Sequence, residues 1–224
     1  MTTLSFNIRQ QKANLYKLAS ALALITIFYN IIEGIVSVSF GIKDETIALF
    51  GFGVDSFVEV ISGVGIWHML RRSRQYGDEK LDRFEKDALR VTGTAFYILT
   101  TGLVITAAVN LYQGNKPETT LWGILISVVS ILTMWALIHY KTKVGKQLDS
   151  EAILADAACT KICIQLSLIL LFASAGYELT GIGWFDSVGA LLIAWLSFRE
   201  GRESFQKARG DTACGCKSNC TIVR

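Results

Sequence analysis

Residues 46–70, TIALFGFGVDSFVEVISGVGIWHML, decide the fold. The stretch is long enough to cross a hydrocarbon core of ~30 Å as a helix rising ~1.5 Å per residue. Yet it carries Asp55 and Glu59 near its middle. A carboxylate at that depth costs on the order of 2.5 to 3.5 kcal/mol on insertion scales, so each one needs a reason. Their i, i+4 spacing stacks both on one helix face.

Five further apolar stretches of similar length flank it, at 18–42, 89–112, 121–139, 152–175 and 182–198. With 51% hydrophobic and 18% charged residues and a mean hydropathy of +0.41, the chain is too apolar for a soluble domain of 224 residues. The single proline and 19 glycines fit long helices with small-residue packing faces, such as those carrying Gly63, Gly65, Gly93 and Gly189. They argue against disulfide scaffolds, disordered chains and collagen-like fibres, and a net charge of +3 gives nucleic-acid binding no support. No alternating pattern of a closed barrel is present, so the predicted fold is an all-α integral membrane protein, a bundle of six transmembrane helices.

Lys and Arg placement orients the bundle. Three precede span one, seven lie from Arg71 to Arg90, three between spans four and five, and six follow span six. Lys43 and Lys116 alone fall on the other side, which predicts both termini in the cytoplasm. Span one is too long in its apolar core for a cleaved signal peptide and is expected to stay in the mature protein. The expected organisation is a cytoplasmic N-terminal segment at 1–17, a six-helix membrane domain at 18–199 and a cytoplasmic Cys-containing tail at 200–224. The linker 71–88 has Leu81, Phe84 and Ala88 at helical spacing and reads as a solvated extension of span three.

Span five supplies a third acid, Asp156, at a depth of about 15 Å if its helix begins near Lys146. Cys159, Thr160 and Cys163 follow at i+3, i+4 and i+7 on the same face, and the three acids are expected to meet. Two carboxylates one turn apart, with a third beside thiol and hydroxyl partners, suit a divalent cation: they supply charge compensation and bonds of ~2.0 to 2.3 Å. Without metal the same groups are expected to take up protons. The plainer alternative is a protonated acid pair that holds helices together by hydrogen bonds. Lys161 points away from this face and is expected to snorkel or to pair with Glu33 or Asp186. Asp186, at the start of span six, is equally well placed as a helix cap. His68 and His139 lie near span ends, where interfacial or packing roles are expected.

The tail holds Cys214, Cys216 and Cys220 in a Cys-x-Cys-x-x-x-Cys pattern on the reducing side of the membrane. Three thiolates suit Zn, Cd or Cu(I), with Asp211, water or a second subunit as a fourth ligand. This tail is expected to capture metal and hand it to the membrane site.

Six spans, the Gly51-Phe-Gly-Val-Asp55-Ser-Phe-Val-Glu59 string and Leu154-Ala-Asp156 together resemble the cation diffusion facilitator transporters. That resemblance implies a site made of His or Asp followed four residues later by Asp, once in span two and once in span five. Asp55 and Glu59 then match the first pair and Asp156 opens the second, which ends here in Thr160. Cys159, Cys163 or water would complete the shell. The typical member carries a cytoplasmic domain after span six, and this chain is expected to be a short form without it. The implied function is a secondary transporter, not an enzyme, exporting a divalent metal (Zn first; Cd, Fe, Mn, Co or Ni otherwise) in exchange for protons. A homodimer in a bacterial inner membrane goes with it. Two rivals are a metal sensor or buffer that binds without turnover, and an intramembrane aspartyl protease using Asp55 and Asp156.

Overall fold

The computed structural model describes residues 2–76, 83–114, 116–148 and 151–209. Among these the chain forms α1 (Thr2–Lys43), α2 (Ile47–Tyr76), α3 (Arg83–Gln113), α4 (Leu121–Leu148), α5 (Glu151–Thr180) and α6 (Trp184–Arg209), with no strand. Within them Ala13–Lys43, Ile47–Arg72, Lys86–Gln113, Leu121–Leu148 and Cys159–Thr180 are long and apolar enough to cross a membrane. The sixth expected span is the apolar first part of α6. Asp186 near its start and the charged run from Arg199 onward make it more polar than the rest, and its Gly189, Ala190, Ile193, Ala194 and Ser197 are buried.

The distribution of polarity is that of a bundle dissolved in lipid. Phe28, Ile32, Trp135 and Phe172 are 63, 63, 67 and 74% exposed, while Asn30, Glu33, Asp55, Lys141 and Asp156 are 6% exposed or less. In water this would be backwards. In a bilayer the exposed apolar side chains face acyl chains, and the polar ones find partners inside.

Three antiparallel pairs, α1 with α2, α3 with α6 and α4 with α5, make the closest contacts, and α2 touches every other helix except α4 extensively. Close approach depends on small residues. A Cβ on Gly53 would lie 2.7 Å from the backbone nitrogen of Val38 and 2.8 Å from Ser37 Cβ, so only glycine lets α1 and α2 cross here, two residues before Asp55. Gly63, Gly65, Gly93 and Gly189 likewise face Ile27, Ala88, Phe205 and Ala173 on neighbouring helices.

One end of the bundle is closed by an apolar cluster that includes Leu49, Phe52, Leu103, Leu170, Ala190 and Ile193. Carboxylates cap two helix starts at this end. Asp186 of α6 accepts the Ile47 amide on Oδ2 at 2.9 Å and the Ala48 amide on Oδ1 at 3.1 Å, satisfying two orphan donors of α2. Glu178 of α5 accepts the Thr120 amide at 2.6 Å and so caps α4. Asp186 is therefore a cap, as one sequence expectation had it, but of α2 rather than of its own helix. The charge bias assigns this end to the outside.

The described helices run past the expected spans. α1 begins at Thr2, so most of the segment 1–17 continues the first helix, and α6 extends to Arg209. Leu81, Asp211, Cys214, Cys216 and Cys220 lie outside the described residues.

Candidate metal site

A cavity of about 110 Å³ enters the bundle between α2, α3, α5 and α6. Asp55 and Glu59 lie at its inner end and Asp156, Cys159, Thr160 and Cys163 line its α5 wall, so all six sequence-predicted site residues share it. The cavity continues to Glu200, Ser204 and Lys207 at the end the charge bias assigns to the cytoplasm.

Within the cavity the acids occupy two levels. On the inner one, Ser197 Oγ donates to Asp55 Oδ1 at 3.1 Å. Glu59 is held from both sides: Asn30 Nδ2 donates to Oε2 at 2.9 Å and the Cys163 thiol to Oε1 at 2.8 Å. Asn30 Oδ1 is buried and has no partner. Glu59, the Asn30 amide and the Cys163 thiol thus meet from α2, α1 and α5, with Asp55 one helical turn away on the same face of α2.

On the other level, Asp156 sits seven residues before Cys163 in the chain, about 10 Å along a helix axis. α5 starts at Glu151 rather than near Lys146, so Asp156 lies about 7.5 Å from its helix end and not 15 Å. The expectation that the three acids meet is corrected by this offset: among the described residues no three of His, Cys, Asp and Glu converge closely enough to hold one metal ion. What meets Asp156 is a lysine. Lys141 Nζ of α4 lies 3.0 Å from Asp156 Oδ1 and donates to Thr160 Oγ1 at 2.9 Å, and Lys141 is 1% exposed. Thr160 in turn donates to the Asp156 backbone carbonyl at 3.0 Å.

Residues 21–210 match the family described as the cation efflux transmembrane domain. The chain belongs to the cation efflux family. It is also 24% identical over 197 residues to the manganese efflux system protein MneP of Bacillus subtilis (strain 168), an alignment covering 82% of this chain. The chain spans about 65% of the length of that relative.

Other sequence expectations for this cation efflux domain are corrected by the packing. Glu33 does not pair with Lys161: it accepts from Tyr29 Oη at 3.0 Å and from Ser56 Oγ at 3.1 Å, stitching α1 to α2. Lys161 lies exposed on α5, and both oxygens of Asp186 are taken up by the Ile47 and Ala48 amides. An exposed aliphatic stem of this kind can carry the ammonium toward the interface. His139 stacks on Trp135 and meets Tyr140 edge-on, a packing role.

Three residues that line or pair with this site were not among the predicted ligands: Asn30, Ser197 and Lys141. For Lys141 a signal existed. The buried stripe of α4 runs Ser127, Ser130, Met134, Leu137, Lys141, Val144 and Leu148, so helical periodicity alone puts this lysine on the inward face.

Proposed function

We propose that this chain is a secondary transporter that exports a divalent transition-metal cation from the cytoplasm in exchange for protons, at the site around Asp55 and Glu59. The observation that carries this reading is a water-sized passage from the cytoplasmic end to the buried Asp55 and the half-buried Glu59, closed beyond them by the apolar cluster around Phe52 and Leu103. An ion entering from that end displaces protons from these carboxylates, and proton uptake neutralises them again once the ion leaves. Rocking of the helix pairs about Gly53 and Gly189 would then expose the site to the other face.

The donor set favours a hard ion. Asp55, Glu59, the Asn30 amide and the Ser197 hydroxyl are oxygen donors, the set that suits Mn(II) and, by extension, Fe(II). The manganese named for MneP points the same way. Zinc, the first choice from sequence, is the second reading, and the thiol of Cys163 beside Glu59 is what favours it. The protein is read as a multi-pass protein of the plasma membrane that works as a homodimer, with the Cys214, Cys216 and Cys220 tail as a metal-capturing arm.

The test is metal entry into proteoliposomes under imposed proton gradients, with Mn, Fe(II), Co, Ni, Zn and Cd in parallel, for wild type and Asp55→Asn. Gradient-driven flux of one metal that is lost in the variant supports the reading. Binding without flux in folded protein replaces it with the sensor.

A further inference from the structure

Where the family resemblance puts the second pair of ligands, at Asp156 and Thr160, this protein has a cation of its own. Lys141 Nζ touches both side chains, at 3.0 and 2.9 Å, from a neighbouring helix. The ammonium is 1% exposed and Asp156 is 6% exposed, so the pair is no surface contact screened by solvent. It also borders the transport cavity, because Asp156 and Thr160 line that cavity beside Cys159. The remaining charged groups that line the cavity nearby, Glu200 and Lys207, come from α6.

We infer that Lys141 is a tethered counter-ion occupying the α5 half of the site, so that a metal ion reaches Asp156 only by displacing it. This inference deepens the export reading and rests on it. Its logic is competition. A monovalent ammonium held in place by the fold satisfies Asp156 and Thr160 while the cavity faces the cytoplasm, and leaves Asp55, Glu59, Asn30 and Cys163 as the first contacts for the incoming ion. A divalent ion passing the Asp156 level of the cavity draws nothing from Asp156 unless Lys141 withdraws. The lysine therefore keeps Asp156 from acting as a further holding point along the path, which weakens binding and speeds release. A transporter benefits from that, since an ion held at each acid it passes would bind tightly and leave slowly.

The same pair gives α4 and α5 a charged link that changes when metal arrives. Breaking one partner alone leaves a buried charge, so the single variant carries a risk to folding that the paired variant avoids. The experiment compares equilibrium binding of Mn(II) and Zn(II), and the KM and kcat of flux, for wild type, Lys141→Met and Lys141→Met/Asp156→Asn in detergent and in liposomes. Lys141→Met is expected to bind metal at least about tenfold more tightly, with KM and kcat both lowered, because Asp156 is released to the ion. The double variant, which has neither charge, is expected to return to within about twofold of wild-type affinity. Folded Lys141→Met with unchanged affinity overturns the inference, as does a double variant that keeps the tighter binding. If Lys141→Met does not fold, wild-type protein decides: amine-reactive labelling of Lys141 is expected to rise several-fold when metal is bound, and equal labelling with and without bound metal overturns the inference. Wild-type protein that binds no divalent metal overturns the export reading itself, an outcome distinct from wild-type binding that Lys141 does not influence.

Discussion

Asp186 and Asp55 are both 2% exposed, both carboxylates inside the same helical bundle, and partnered in opposite ways. Asp186 spends both oxygens on the backbone amides that open α2. Asp55 accepts one serine hydroxyl and faces a cavity with the rest of its capacity. Burial alone therefore does not mark a functional acid in a membrane. The difference lies in what saturates it: a carboxylate closed by the helix ends it caps is structural, and one left with open lone pairs beside water is available to an ion.

Neutralising each in turn gives the largest expected contrast. Asp55→Asn keeps the shape and the Ser197 contact but removes a charged ligand, so flux is expected to fall by roughly 100-fold or more while thermal unfolding in detergent barely shifts. Asp186→Ala is expected to do the reverse: loss of about 2 to 3 kcal/mol of stability, from two charge-assisted bonds to orphan amides, with the order of metal preference unchanged. Unfolding curves and proteoliposome flux on both variants test the pair. Similar flux losses from both at equal stability would break the distinction drawn between the two regions.

How much of this could be read beforehand follows from the same contrast. Asp55 and Glu59 stand out in the sequence because charge interrupts an apolar run, and the structure puts both in the cavity. Lys141 does not stand out, since it sits near Lys143 and Lys146 and reads as part of a basic cytoplasmic end. Only the face it shares with Met134 and Leu137 separates it from them. The depth of Asp156 was misjudged for a related reason: composition does not fix where one helix stops and the next begins, and a shift of five residues moves a side chain by about 7.5 Å. The partner of Asp186 lies 139 residues away in the chain, and no local pattern announces such a cap.

Gly53 joins the two regions, because it sets how closely α1, which carries Asn30, lies against α2, which carries Glu59. Gly53→Ala is expected to cost about 1 to 3 kcal/mol, since the added methyl meets backbone and Cβ atoms that cannot rotate away. Gly102→Ala is the control: nothing lies within 4 Å of its Cβ position, and relief of helical glycine is expected to leave stability equal or slightly raised. A larger loss at Gly102 than at Gly53 would mean that the α1 and α2 crossing does not limit the fold.

The smallest expected effect is the most specific. Cys163→Ser replaces a thiol with a hydroxyl that can donate to the same Glu59 oxygen, so packing and hydrogen bonding are nearly conserved and only the softness of the donor changes. If the thiol ligates, zinc and cadmium flux should drop several-fold relative to manganese, because soft ions lose a sulfur donor that hard ions hardly use. If the ratio stays fixed, Cys163 only orients Glu59, and the inner level is an oxygen site. The ratio within one variant is the quantity to measure, since changes in expression, orientation or turnover affect both metals alike and cancel.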